Sequence, residues 1–525
     1  MSEKELYMSI LTVEHVNHDF GGRTILEDAS FRLLKGEHVG LVGANGEGKS
    51  TFLNIITGKL MPDSGKVEWC NRITTGYLDQ HTVLEKGQTI RDVLRSAFSY
   101  MYDLEEEMLK LYEKMGEVDE NELQTIMDDV SDIQHTLEHH GFYMIDAKVE
   151  EIANGLGLGD IGLDKDVSEL SGGQRTKVLL AKLLLESPMI LILDEPTNYL
   201  DYEHILWLKK FLIDYENAFI LVSHDTTFLN EVVNVIYHIE SSILTRYKGD
   251  YENFERMNDL KKRQQEQAYE KQQKEIDKLE TFIAKNKARV ATTNMAKSRQ
   301  KQLDKMEIVE KVYEKVKPSF KFNEARAAAR FVVETEDLVI GYDEPLTKPL
   351  NLVLERGQKV ALKGVNGLGK STLLKTLLGI IEPVNGKVHL GDYLEPGYFE
   401  QESSKDNKNT AIEEIWSEYP AMTNREVRAA LARAGLTNEH ITSLMMVLSG
   451  GEAAKVRLTK IMLREVNWLV LDEPTNHLDV DAKEELQRAL KAFKGTILLV
   501  SHDPEFYKPF ITHEWSAEDW TLKIV

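Results

Sequence analysis

Cysteine is almost missing: Cys70 is the single one in 525 residues. That excludes a disulfide scaffold and a cysteine-built metal site, and fits a reducing compartment. Long apolar runs are missing too. Nothing approaches the ~18 consecutive apolar residues of a membrane helix. The richest stretch, VLLAKLLLESPMILIL (178–193), is broken by Lys182, Glu186 and Pro188. The opening MSEKELYMSI mixes both charge signs around no apolar core, so it does not read as a secretory leader. Positive charge is in short supply, with 64 Lys and Arg against 87 Asp and Glu, a formal −23. What is present, 42% hydrophobic and 29% charged residues, suffices for several cores and excludes a mostly disordered chain. The expectation is a cytoplasmic protein of about three or four ordinary domains with no membrane insertion.

The chain repeats itself. LVGANGEGKSTFL (41–53) returns as LKGVNGLGKSTLL (362–374), and LILDEPTNYLD (191–201) as LVLDEPTNHLD (469–479). LVSHD ends at Asp225 and again at Asp503, and LSGGQ (170–174) returns as LSGGE (448–452). Spacings match as well. Lys49 to Gln80 and Lys370 to Gln401 each span 31 positions, Ser171 to Asp194 and Ser449 to Asp472 span 23, and Glu195 to His224 and Glu473 to His502 span 29. One interval differs: Gln80 to Ser171 is 91 and Gln401 to Ser449 is 48, so the first copy carries 43 extra residues. Two copies of one α/β nucleotide-domain plan follow, expected over residues 8–250 and 330–525.

The extra residues fall near 95–140 and predict a helical hairpin. Leu104, Met108, Leu111 and Met115 keep helical spacing, as do Leu123, Ile126, Val130, Ile133 and Leu137, with the polar break GEVDEN between. A second helical hairpin is expected between the copies, over 251–318. It has one stripe at Ile276, Leu279 and Ile283, another at Val309, Val312 and Val316, and a break near 290–294.

GANGEGKS (43–50) and GVNGLGKS (364–371) each follow a short apolar strand and open a helix-forming run, the context of a phosphate loop. Gly43, Asn45, Gly46 and Gly48, and equally Gly364, Asn366, Gly367 and Gly369, let backbone N–H groups turn onto phosphates, and the helix adds its positive end. Lys49 and Lys370 would reach the terminal phosphates, with Ser50, Thr51, Ser371 and Thr372 following and the serine hydroxyls ligating Mg²⁺. Asp194 and Asp472 end apolar strands, where an open α/β sheet places ligand-binding groups, and suit Mg²⁺ through water. Glu195 and Glu473 are placed to polarise the attacking water. His224 and His502 could hydrogen-bond the γ-phosphate and that glutamate. Phe20 and Tyr342, 29 and 28 residues before the phosphate-loop lysines, are candidates to stack on the base.

With LSGGQ and LSGGE in place, the sequence resembles the ATP-binding-cassette superfamily, in which this motif caps the γ-phosphate of the opposite cassette. The resemblance implies an ATPase with ATP and Mg²⁺ in two composite sites. Site one would join Lys49, Ser50, Gln80, Asp194, Glu195 and His224 to Ser449, Gly450, Gly451 and Glu452. Site two would join Lys370, Ser371, Gln401, Asp472, Glu473 and His502 to Ser171, Gly172, Gly173 and Gln174. Gln80 and Gln401 would join the Mg²⁺ sites, and one chain would clamp two nucleotides as a monomer. Glu452 stands where the first copy has Gln174, so the two sites are chemically unequal.

Two cassettes joined by a charged helical hairpin, with a further hairpin in the first, look like the ABC-F family of ATPases that work on the ribosome. The resemblance covers essentially the whole chain. It implies a translation factor near the ribosomal exit site, whose linker reaches toward tRNA and the peptidyl-transferase centre. A ribosome-protecting antibiotic-resistance factor of the same family and an ATPase subunit of a transporter stay open as alternatives. Charge supplies an independent sign. Residues 261–317 hold 16 basic and 9 acidic residues, leaving −30 for the rest of the chain. Lys285, Lys287, Arg289, Lys297, Arg299 and Lys301 are the candidate contacts to rRNA or tRNA. Residues 101–140 hold 13 acids and two lysines. So acidic an arm would be repelled by RNA phosphates, and a basic ribosomal protein is its expected partner.

Overall fold

HVGLV (His38–Val42) and KVALK (Lys359–Lys363) are largely apolar, as strands covered on both faces must be. The computed structural model describes residues 9–20, 23–78, 84, 86–115, 120–198, 200–286, 293–306, 317–342, 344–400 and 407–522. In it, both strands lie inside mainly parallel sheets. The first sheet runs Thr75–Tyr77, Ile190–Asp194, Ala218–Val222, His38–Val42, Val235–Glu240 and Ile243–Lys248, with only the last pair antiparallel. The second runs Pro396–Phe399, Trp468–Asp472, Thr496–Val500, Lys359–Lys363 and His513–Ser516, all parallel. In each, three neighbouring strands end side by side at the phosphate loop, at the Asp–Glu pair and just before the histidine. One edge thereby collects the chemistry.

Alternation of side chains sets the layers. In Ile190–Asp194, Leu191 and Leu193 enter the core on one face of the sheet, while Ile190 and Ile192 enter the core on the other. Trp468–Asp472 does the same, with Leu469 and Leu471 on one face and Trp468 and Val470 on the other. All eight are fully buried, each stabilising the fold by about 1.5–3 kcal/mol relative to exposure. Each cassette adds an antiparallel three-stranded sheet: Arg23–Leu34, Ser9–Phe20 and Ser64–Trp69 in the first, Val353–Glu355, Phe331–Val339 and Asn385–Leu390 in the second. The fold is α/β, with two ATP-binding cassettes and a long helix between them.

In the first cassette the helices Ser99–Lys114 and Glu120–His139 leave the core as a pair. Leu137 and Val130 are buried, while Leu104, Met108 and Ile133 lean on the same core. Between the cassettes, Tyr251–Asn286 is one helix of 36 residues, about 54 Å long. Its root is fixed by buried Phe254, ringed by His238, Tyr247 and Tyr251 at 5.0, 5.1 and 5.4 Å. Farther along, Leu279 and Ile283 are buried, and the helix Thr293–Asp304 packs against it. The break expected near 290–294 falls largely outside the described residues, and the stripe at Val309, Val312 and Val316 wholly so. No helix among the described residues is long and apolar enough to cross a membrane.

Candidate nucleotide sites between the cassettes

Gly48 and Gly369 open the helices Lys49–Ile56 and Lys370–Leu377 at left-handed φ of 99° and 88°. A Cβ on Gly48 would stand 2.6 Å from Ile25 Cγ2, so both backbone and space demand glycine there. Gly43, Gly46, Gly364 and Gly367 are also at positive φ. Neither helix start is capped by a side chain, which leaves its N-terminal end suited to phosphate. Lys49 is buried, donating to Gly43 O at 2.7 Å and Ala44 O at 3.1 Å. Lys370 repeats this with Gly364 O at 2.5 Å and Val365 O at 3.0 Å. Ser50 Oγ donates to Asp194 Oδ2 at 3.5 Å, and Ser371 counters the upward push of burial on the Asp472 carboxyl. Thr51 and Thr372 follow in the helices, Thr372 buried.

Glu195 and Glu473 sit at φ of 49° and 47°, a conformation that costs a non-glycine residue on the order of 1–3 kcal/mol and clusters at functional sites. Their N–H groups donate to Val222 O at 2.9 Å and Val500 O at 3.0 Å, fixing the carboxylates beside the histidine strand. Each Oε2 accepts from the following histidine's backbone N–H at 3.4 Å. Each Oε1 lies 3.5 or 3.4 Å from the imidazole Nε2 of His224 or His502.

Burial, reinforced by Asp194, pushes Glu195 up to about 8. Burial likewise pushes Glu473 up to about 7, with Lys370 opposing and Asp472 adding. Those values suit a general base at neutral pH. Burial, helped by Lys49 and Lys370, holds His224 down to about 3 and His502 to about 4, so both imidazoles stay neutral. Burial also lowers Lys49 and Lys370 and raises Asp194 and Asp472.

Glu195 Oε1, Glu473 Oε1 and Asp472 Oδ2 are buried with no hydrogen-bond partner. Such oxygens call for a cation or water. Ser50 with Asp194, and Ser371 with Asp472, therefore fit Mg²⁺, which when bound would neutralise charge on the β- and γ-phosphate oxygens. Gln80 and Gln401 lie outside the described residues. Phe20, at the end of its strand, and Tyr342 are 52% and 68% exposed, and Phe20 makes an edge contact with His18 at 4.7 Å.

The cassettes meet at these sites. Asn45 Nδ2 donates to His477 O at 3.0 Å. A Cβ on Gly451 would lie 2.2 Å from Asn45 Nδ2, and one on Gly46 would lie 3.3 Å from Glu452 Oε1. The second signature loop thus sits directly on the first phosphate loop, with Gly451 and Glu452 buried, Gly450 against His477, and Ser449 capping the helix. At the other site, Asn366 N–H donates to Asp201 Oδ1 at 2.8 Å, and His502 Nε2 is 3.7 Å from that same oxygen. The first signature is more open than the second. Ser171 and Gly172 are exposed, Gly173 and Gln174 half-buried, and a Cβ on Gly172 would meet nothing within 4 Å. A cavity of about 320 Å³ lies between the cassettes and is lined by both glutamates and both histidines.

Asp201, Asp479 and His477 carry contacts that motif chemistry left without a role. Asp201 crosses to the other cassette, whereas Asp479 is bound at home by Lys455 at 2.8 Å. Both aspartates close the repeated LDEPTN stretch, so the duplication was the signal that pointed to them.

A pair of phosphate loops, each with a strained glutamate and a neighbouring histidine and each contacted by the other half, with the second signature loop seated on the first phosphate loop, defines a tandem ATP-binding-cassette ATPase. The ABC transporter family model matches residues 26–198 and 347–476, and an associated ABC transporter model matches 237–322. The ABC transporter ATP-binding protein YfmM of Bacillus subtilis (strain 168) is 62% identical over 99% of this chain and 100% of its own length. ABC transporter F family member 2 of Arabidopsis thaliana is 34% identical over 97% of this chain and 75% of its own. Among solved structures, the complex of archaeal ribosomal stalk protein aP1 with archaeal ribosome recycling factor aABCE1 aligns at a TM-score of 0.56. Its 21% identity, over 96% of this chain and 87% of that one, speaks to the fold. The chain belongs to the ABC-F family of ATP-binding-cassette proteins.

Proposed function

We propose that this ATPase is a clamp that binds the ribosome near its exit site in the ATP-closed form, acts on tRNA and the peptidyl-transferase region, and leaves after hydrolysis. ATP shifts the balance by binding the closed form more tightly than the open one. The water attacking each γ-phosphate is deprotonated by Glu195 or Glu473, while neutral His224 or His502 orients the phosphate. Loss of the γ-phosphate then removes what holds each signature loop on the opposite phosphate loop.

The observation that carries the ribosomal reading is the linker's charge. In a chain of net −23, the exposed cations Lys285, Lys297, Arg299 and Lys301 gather at the end of the long helix remote from its root; Lys287 and Arg289 fall outside the described residues. Polyanionic RNA is the chemistry such a tip recognises. The ABC-F relatives and the ribosome recycling factor among the fold neighbours agree with it. The arm's acidity favours a basic ribosomal protein as its contact, and the cytoplasm is the setting. Combining Glu195→Gln with Glu473→Gln should trap a complex that co-sediments with ribosomes in ATP and not in ADP. Retained ATP binding without co-sedimentation would refute this function.

A further inference from the structure

The two composite sites differ at a pair of positions that, in the first, lie beside Gly46 of the phosphate loop. In the second signature, Glu452 Oε2 accepts from Ser449 N–H at 2.9 Å, and Ser449 Oγ accepts from Glu452 N–H at 3.3 Å. Gln174 makes the same cap with Ser171, at 3.0 and 3.3 Å. The amide and the carboxylate are therefore structurally interchangeable at this helix start, and what distinguishes them is charge. The remaining oxygen, Glu452 Oε1, lies 3.2 Å from His440 Nε2. Thr437 N–H donates to His440 Nδ1 at 3.4 Å, which leaves Nε2 to carry the proton toward Glu452. Nine residues before Ser171, the matching position is Gly162, with open space where a side chain would be. Among the described residues, site one has this imidazole–carboxylate pair, and site two, with Gly162 and Gln174 at the matching positions, does not. Glu452 is buried and His440 half-buried, and a Cβ on Gly46 of the phosphate loop would stand 3.3 Å from Glu452 Oε1 and 3.8 Å from His440 Nε2. The nearby Lys455 is engaged by Asp479 at 2.8 Å and offers Glu452 no neutralising partner.

A fixed negative charge pressed onto a phosphate loop opposes the extra charge of a triphosphate more than it opposes a diphosphate. We propose that Glu452, oriented by His440, is the residue that sets nucleotide preference at site one, weakening ATP relative to ADP there and leaving site two, with Gln174, the tighter ATP site. This rests on the composite-site reading and not on the ribosome.

The test uses the full chain carrying Lys370→Ala, to silence site two, and Glu195→Gln, to keep ATP intact, with Kd for ATP and ADP measured by titration. Glu452→Gln should tighten ATP about tenfold and leave ADP within about twofold, since the cap is preserved. In the mirror background, with Lys49→Ala and Glu473→Gln, Gln174→Glu should loosen ATP at site two by a similar factor. His440→Ala removes the N–H that faces Glu452 Oε1 and partly offsets its charge, so it should weaken ATP at site one when Glu452 is present and do nothing once it is Gln. An unchanged ATP-to-ADP ratio in Glu452→Gln, or a shift toward ADP, overturns the proposal. Gly451→Val separates the layers: if it weakens ATP at site one while Glu452→Gln is silent, the composite site stands and the charge role falls. If Gly451→Val is also silent, the composite site itself falls and takes the proposal with it.

Discussion

Glu195 and Glu473 hold left-handed backbone that few non-glycine residues adopt, and glutamine can occupy the same conformation. Either Glu→Gln change should therefore preserve ATP binding while cutting turnover at its own site by about 10²–10⁴, read as phosphate release. Asp479 illustrates a different cost. Burial alone would raise its carboxyl, yet adjacent Lys455 and the Ala482 N–H that it caps together hold it below the ordinary range. Removing one partner strands the other charge, so Asp479→Ala should lower stability by about 3–5 kcal/mol in thermal melts. Lys455→Met combined with Asp479→Leu should recover most of that loss. Glycines, lysines and glutamates of the sites were legible because duplicated spacing marks them. The crossing of Asp201 to Asn366 was not, because a contact between residues 165 apart leaves no local pattern. His440 escaped notice for a related reason: its counterpart is Gly162, so no repeat draws attention to it.

At the level of elements, the strands announced themselves as apolar runs and the arm as two helical stripes. Their registers reflect which side chains share a core, and that is decided only on packing. The arm's seat tests this. Leu137 is fully buried, and Leu137→Ala should cost about 2–5 kcal/mol, seen as faster amide exchange in Glu120–His139 ahead of the sheets. His238, at the linker's root, gives a pH test. Burial holds it down to about 4, against the pull of Glu240 and with help from Lys262. Below its ordinary value near 6.5 the unfolded chain takes up a proton that the folded chain refuses until about pH 4. Stability contributed here is therefore full above about pH 6.5 and declines as pH falls toward 4. His238→Phe, which can keep the ring contact with Phe254, should flatten the drop in melting temperature between about pH 7 and about pH 5.

Taken whole, the molecule is two versions of one plan that have drifted apart at their shared boundary. The sameness could be read from paired words in the chain; the drift could not, because it lives in which loop presses on which. A nucleotide that binds only the closed form should stabilise the protein by about 2.7 kcal/mol at a hundredfold excess over Kd. In the double Glu→Gln variant, scattering should accordingly show a smaller radius of gyration with ATP than with ADP. The root of the linker adds a mechanical corollary. Phe254 and Tyr251 in the first turn of a 36-residue helix are packed with His238 and Tyr247 of the first cassette's sheet. That helix is a stiff pointer about 54 Å long, and tilting its base by about 5° sweeps the tip through about 5 Å. Small hinge movements at the nucleotides are thereby amplified into displacements the size of a nucleobase at the far end.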